Sequence, residues 1–288
     1  MSVLETYSYP MKHLTLFEVR VSIAMISMLA SVLLLPAEAV DIVAHRGASA
    51  DAPENTLPAF ELAWERGADV VEGDFYLTSD SEIVCFHDKT TERVAGTNLT
   101  VTASPYTQLK TLDVGAWKDP KWQGTYIPTL AEVLATLPAN RGRFFIELKD
   151  TPRIVKPLME QLRKAGVPAS RLAIISFKQA VIAASKAAMP EVDAIWVAST
   201  KTYEELGLAG VMRTLKRVSA DGLDIQASTA ITPELGKALR KNGLQFHCWT
   251  VNDAPLARHM VEMGVDSITT DRPDDLRRAK LASSRMAN

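Results

Sequence analysis

Asp41-Ile42-Val43-Ala44-His45-Arg46-Gly47 is the stretch on which the fold turns. Residues of strand character run into a histidine, an arginine and a glycine. A short apolar run is ambiguous between strand and helix. One that stops at a glycine suits a strand tip turning into a loop. His45 and Arg46 would then stand at the mouth of the fold: a group that moves protons near neutral pH, beside a planar cation shaped for phosphate. The alternative is a hydrogen-bonded core histidine beside a surface arginine, and this heptad alone does not choose.

Strand signals recur downstream at Asp69–Thr78, Phe144–Lys149, Leu172–Phe177, Asp193–Ser199, Gly222–Ala227, Gln245–Val251 and Ser267–Thr270. Glu82–His87 follows the turn Ser79-Asp80-Ser81 and reads as a hairpin return on the second strand. Helical signals lie between the strands. Asn55-Thr56 can cap a helix with Pro58 in its first turn and Gly67 at its end. Thr129-Leu130-Ala131-Glu132 is a capping box. Thr232-Pro233 opens a helix that Gly243 closes, and Asn252 opens one that Gly264 closes. Alternating strands and helices imply a parallel sheet covered by helices. With the hairpin return set aside there are eight strands, which predicts a (β/α)8 TIM barrel with its active site at the C-terminal strand ends. Residues Thr90–Pro128, rich in Thr, Gly and Pro with Trp117 and Trp122, form a small insertion after the second-strand hairpin. It is too long for a plain loop and is expected to roof the site.

Composition bounds the rest. The chain has 288 residues, 23% charged and 47% hydrophobic, with a formal net charge of -2. That is a globular balance, and it excludes the strongly basic character of a nucleic-acid binder. Residues 1–39 read as a secretory signal peptide. Lys12 and Arg20 precede the apolar stretch Val21–Leu35, and Pro36-Ala37-Glu38-Ala39 supplies an Ala-x-Ala cleavage site. The stretch is short for a membrane span, so an uncleaved anchor is the weaker reading. Cleavage near Ala39 would export a mature domain of residues 40–288 to the periplasm or the medium, with no stable membrane span. The two cysteines, Cys85 and Cys248, fall on non-neighbouring strands and are expected to be buried free thiols.

Glu72-Gly73-Asp74 lies inside the second strand, so both carboxylates share one face. Two like charges in a barrel interior need a cation between them. Gly73 is expected to leave the other face bare. His87-Asp88 ends the hairpin return, and Glu147-Leu148-Lys149 ends the next strand. Glu72, Asp74 and Glu147 would then converge at one mouth, an all-oxygen set that suits Ca2+ or Mg2+ better than Zn2+. Arg46 and Lys149 add a cradle for a phosphate ester, and two histidines can serve as base and acid of phosphodiester cleavage. Phe177 and Trp249 at strand ends are candidate walls for the substrate. His247 is expected in the core, His259 on an outer helix, and Asp271 as a loop-holding residue rather than a metal ligand.

The series His45-Arg46-Gly47, Pro53-Glu54-Asn55-Thr56, Glu72-x-Asp74, His87-Asp88, Glu147-x-Lys149 and Trp249-Thr250-Val251-Asn252 resembles the glycerophosphodiester phosphodiesterase family, from about Asp41 to Pro273. The insertion ending Tyr126-Ile127-Pro128-Thr129-Leu130 is similar to that family's insertion. The resemblance implies a barrel enzyme that hydrolyses glycerophosphodiesters, small-molecule substrates, to sn-glycerol 3-phosphate and an alcohol with one divalent cation. It implies His45 and His87 as the acid/base pair, Arg46 and Lys149 on the phosphate, and Glu72, Asp74 and Glu147 on the metal. Glu54 is expected to orient Arg46 or a water rather than to ligate. A lysophospholipase D-like enzyme acting on lipids keeps the same fold and would need an exposed apolar rim on the insertion. A secreted phosphodiester-binding protein is disfavoured, because binding alone does not need a proton donor and acceptor.

Overall fold

The computed structural model describes residues 40–279. The signal-peptide reading falls on residues 1–39, which lie outside the described residues. Nine strands are found among the described residues: β1 (Asp41–Ala44), β2 (Val70–Leu77), β3 (Ile83–Cys85), β4 (Arg143–Leu148), β5 (Leu172–Ser176), β6 (Asp193–Ala198), β7 (Gly222–Gln226), β8 (Gln245–Trp249) and β9 (Ser267–Thr270). All but β3 are parallel. They hydrogen-bond in the order β1-β9-β8-β7-β6-β5-β4-β2, and a β1–β2 pairing closes the ring. This is the (β/α)8 barrel that the alternation predicts.

The strands read as near-continuous apolar runs because both faces are covered. In β4, Phe144, Ile146 and Leu148 face the helical layer, while Phe145 and Glu147 face the barrel interior. Phe144 meets Phe60 edge-on, with ring centroids 5.6 Å apart. Burying a side chain of that size contributes about 1.5–3 kcal/mol. The interior is small and apolar at mid-height, lined by Val43, Val70, Phe145, Ala173, Ile175, Ile195 and Val197. Its lower end is polar and closed: Asp193 accepts hydrogen bonds from Arg143 and Gln245, each at 2.9 Å. His247 lies in this layer, fully within the core as expected. It bonds Ser267 at 2.7 Å and stacks edge-on against Phe145.

The mouth is opened by an uneven seam. β1 and β2 pair only at Val43↔Val70 and Ala44↔Val71. Beyond that point β2 continues alone on that side, and β3 pairs antiparallel to it from Phe75↔Cys85 to Leu77↔Ile83. The hairpin thus takes the place β1 vacates and carries His87 to the rim.

The insertion does not roof the site. None of residues 90–128 lines the central cavity. Val94, Val101, Leu109, Val114 and Ile127 instead pack with Tyr76, Val84 and Phe86 into a small core beside the hairpin. The apolar residues of the insertion find their partners there, so it buttresses the strand pair that delivers His87.

Two helix starts also differ from expectation. Thr56 occupies the cap position of helix Leu57–Glu65, but its hydroxyl donates to the Pro53 carbonyl at 2.6 Å rather than accepting from the helix. Asp253, not Asn252, caps helix Ala254–Met263, accepting from the Leu256 amide at 2.9 Å. In both cases the asparagine is used elsewhere, as the site shows. The capping box at Thr129 and Glu132 is present with both of its hydrogen bonds. Cys85 and Cys248 are buried free thiols. No helix among the described residues is long and apolar enough to cross a membrane.

Candidate active site

The loop after β1 is built for the site. Arg46 has a left-handed backbone (φ 54), and Gly47 follows at φ 82. A side chain on Gly47 would lie 2.5 Å from the Ala59 backbone, so only glycine fits. The left-handed turn aims the Arg46 amide at Glu72, donating to Oε2 at 2.9 Å. Arg46 is a non-glycine residue in a strained conformation beside candidate catalytic groups, as functional sites often hold.

Glu72, Asp74 and Glu147 are all buried, and each offers an oxygen within 4.8 Å of the others. Their environments differ. Burial, then the charges of Asp74 and Glu147, raise the Glu72 carboxyl well above the ordinary range. Burial and Asp74 push Glu147 up to about 7. Burial would also raise Asp74, but Lys149 and Arg46 outweigh it and hold it ionised. Lys149 Nζ lies 2.9 Å from Glu147 and 3.2 Å from Asp74. Asn55, itself left-handed, donates to Asp74 Oδ2 at 2.8 Å and accepts from the Asp74 amide at 3.1 Å. The outer side of Gly73 is therefore not bare. A Cβ there would press on Phe60 at 3.1 Å and Cys85 at 3.2 Å, where Asn55 also reaches in.

The two histidines are held alike. His45 Nδ1 is 2.7 Å from Asp271 Oδ1, and His87 Nδ1 is 2.6 Å from Asp88 Oδ1. With Nδ1–H donating to a carboxylate, Nε2 is the ring nitrogen left for the cavity, a tautomer inferred from the bonding. Burial would raise Asp271, yet its hydrogen bond from His45 holds it below the ordinary carboxylate range. Asp271 also accepts from Ser49 and from Asn252, which is why Asn252 is not free to cap its helix. Burial lowers the His87 imidazole despite the pull of Asp74.

Arg93, from the insertion, donates to Asp88 at 2.5 Å and to both oxygens of Glu54, at 2.6 and 3.1 Å. Glu54 in turn accepts from Arg46 at 2.9 Å. One exposed arginine thus ties the partner of His87 to the partner of Arg46. Glu54 sits against Arg46.

His45, Arg46, Glu72, His87, Glu147, Lys149, Phe177 and Trp249 line one cavity of about 220 Å³, with Ile175, Val197, Asp224 and Thr269. Phe177, 43% exposed, meets Trp249 edge-on at 5.3 Å on one rim. Four buried polar atoms of this wall have no hydrogen-bond partner: Arg46 Nε, which lies 3.3 Å from Asp74 Oδ2 as an ion pair, Glu72 Oε1, Asp224 Oδ1 and Trp249 Nε1. All the candidate site residues read from the sequence gather here, with Asp74 and Glu54 in contact with the lining cations. Asp88, Arg93, Asp224 and the hold of Asp271 on His45 were not anticipated. Of these Asp88 stood in the His87-Asp88 pair and Asp271 directly followed a strand tip on the catalytic end, while Arg93 and Asp224 carried no signal.

The arrangement resembles known proteins throughout. The model of the glycerophosphoryl diester phosphodiesterase family matches residues 45–275. A glycerophosphodiester phosphodiesterase of Caldanaerobacter subterraneus is 32% identical over 239 residues, covering 82% of this chain and 95% of that protein. One from Bacillus altitudinis is 31% identical over 240 residues, covering 81% and 95%. A phosphodiesterase of Oleispira antarctica, solved in complex with the product sn-glycerol-3-phosphate, superposes with a TM-score of 0.75 at 28% identity, covering 84% of this chain and 96% of that one. The chain belongs to the glycerophosphoryl diester phosphodiesterase family and is a phosphodiesterase.

Proposed function

We propose that the chain hydrolyses glycerophosphodiesters to sn-glycerol 3-phosphate and an alcohol. His45 and His87 act as the acid/base pair, and Arg46, Lys149, Trp249 and Phe177 contact the substrate. Glu54 supports Arg46, and Glu72, Asp74 and Glu147 hold one divalent cation, Ca2+ or Mg2+. The observation that carries this reading is the single cavity joining two carboxylate-held imidazoles, two phosphate-competent cations and the carboxylates of Glu72 and Glu147, with Asp74 clustered against them. The product complex of the Oleispira relative supports the same substrate class.

The carboxylates fit a hard cation. They offer only oxygen, and Glu72 Oε1 is buried without a partner. When bound, a divalent ion supplies positive charge that stabilises phosphoryl oxygens. The chain's own residues do the rest. Arg46 and Lys149 bind the phosphate and offset its charge. One imidazole takes the proton of the glycerol 2-hydroxyl as it attacks phosphorus in line, and the other protonates the departing alcohol. The resulting cyclic phosphate is opened by water. Asp271 and Asp88 keep each Nε2 aimed at the reacting oxygens.

Export of residues 40–288 as a single barrel domain with its insertion near 90–128 belongs to this proposal, with scavenging of phospholipid debris as its use. A lipid-directed activity gains little support. Trp117 lies under Arg93 and Lys118, and Trp122 under Lys121, so the insertion presents cations over its aromatics.

The test is release of sn-glycerol 3-phosphate from choline, ethanolamine, glycerol and inositol diesters, with and without chelator, plus the 2-deoxy analogue. Release from at least one diester, lost on chelation and absent with the 2-deoxy analogue, is expected. Turnover of lysophosphatidylcholine alone would overturn the substrate class, and an unchanged 2-deoxy rate would mean direct attack by water. Separately, Asp271→Asn should lower kcat about 10²-fold with little change in KM, because the amide no longer fixes the productive tautomer. Steady-state kinetics showing a KM effect alone would count against that role.

A further inference from the structure

Asp224 lies in the middle of β7 with 2% of its surface exposed, and it lines the cavity. Its Oδ1 has no hydrogen-bond partner. Leaving a buried acceptor unmatched destabilises a fold, so an unmatched carboxyl in a substrate cavity calls for a ligand partner. The mechanism above does not use it.

Its depth says which part of the substrate it meets. Arg46, His87, Lys149 and Phe177 lie past the ends of their strands. Asp224, with Ile175, Val197 and Thr269, lies one or two residues inside the strand ends. At the rise and tilt of barrel strands, two residues lower the floor by about 5 Å along the axis. Phosphate bound by the cations at the rim therefore points the glycerol carbons down. Ile175 and Val197 suit the carbon spine, and a polar group is needed only where the chain ends in a hydroxyl.

We infer that Asp224 is a specificity residue that hydrogen-bonds the terminal hydroxyl of the glycerol unit at the cavity floor, selecting a free glycerol end over one that is shortened or acylated. The inference rests on the diesterase reading above. Either protonation state serves, since a carboxylate accepts from the hydroxyl and a carboxylic acid donates to it.

The test compares kcat/KM for glycerophosphocholine with that for 2-hydroxyethyl phosphocholine, which keeps the attacking hydroxyl and lacks the terminal one. The wild-type chain should prefer glycerophosphocholine about 100-fold, because a site built for a hydroxyl discriminates strongly against its absence. Asp224→Ala should reduce that preference to below about 5-fold, and Asp224→Asn should retain most of it. Each ratio is taken within one preparation, so a partly folded fraction divides out. Asp224→Leu, close in volume, covers the case in which alanine does not fold. It should lose the same preference while raising Tm by a few degrees, because it removes an unmatched buried carboxyl; a purely structural aspartate would give a lower Tm. An unchanged substrate ratio in the Ala or Leu variant overturns the assignment of Asp224 and leaves the diesterase reading intact. Failure of the wild-type chain to hydrolyse any of the choline, ethanolamine, glycerol and inositol diesters overturns the diesterase reading and this inference with it; where another head group is preferred, the glycerol and 2-hydroxyethyl esters of that head group give the ratio.

Discussion

Replacing His45 by alanine is expected to lower kcat on glycerophosphocholine about 10³-fold with KM nearly unchanged, and His87→Ala should do the same. Each imidazole has Nδ1 committed to an aspartate, 2.7 Å away for His45 and 2.6 Å for His87, so only Nε2 remains for chemistry. Both rings line the cavity that holds Arg46 and Lys149, so both lose contact with the reacting oxygens when truncated. Phosphate binding survives because the cations are untouched. The double variant should be no more than about tenfold worse than either single, because the two groups serve one transition state. A p-nitrophenyl leaving group assigns the roles. It departs without a proton, so it restores the variant lacking the acid and not the variant lacking the base. Circular dichroism and Tm separate these losses from unfolding. Either single variant within threefold of wild type would remove the acid/base assignment.

Much of this is legible in the sequence alone. Period-two placement put Glu72 and Asp74 on one face, and the strand count placed Glu147 beside them. The structure pairs the two strands in the register Asp74↔Glu147. What the sequence could not give were contacts made by loops far apart in the chain. Asp271 reaches His45 across 226 positions, and Arg93 reaches Glu54 across 39. Neither is implied by periodicity or by a local motif. Asn55 and Asn252 illustrate a second limit. Each has the chemistry of a helix cap, and a cap was the expected use. Tertiary partners, Asp74 and Asp271, claim both amides instead. The insertion failed as a roof for a similar reason. Its apolar residues had to be buried somewhere, and the exposed side of the β2–β3 hairpin was the nearer face. Asp224 escaped notice because a lone acid in a short strand has no pattern to mark it.

Chelation of divalent ions is expected to reduce turnover at least about 10²-fold and to leave a protein whose stability falls as pH rises. Burial and Asp74 push Glu147 from an ordinary value of 4.5 up to about 7, and Glu72 is raised in the same direction. Between those values the folded chain holds a proton that the unfolded chain has released. Stability from this group is full below about pH 4.5 and is lost as pH climbs through 7. Asp74 is shifted the other way, so its contribution is lost only as pH falls below its ordinary 3.8 and stays constant across this window. The Glu147 shift corresponds to about 3 kcal/mol, and each kcal/mol moves Tm by about 2–4 °C in a chain of this size. Tm of the chelated protein should therefore drop several degrees from pH 5 to pH 7.5. Saturating Ca2+ or Mg2+ holds the carboxylates ionised in the folded state, so the decline should flatten and the gain in Tm on adding the ion should grow with pH. Glu147→Gln should shallow the metal-free decline and weaken the response to the ion together, since the same carboxyl contributes to both. Thermal melts of the chelated protein that stay level or rise over this range, or an ion-induced gain equal at both pH values, would separate the three carboxylates from metal binding.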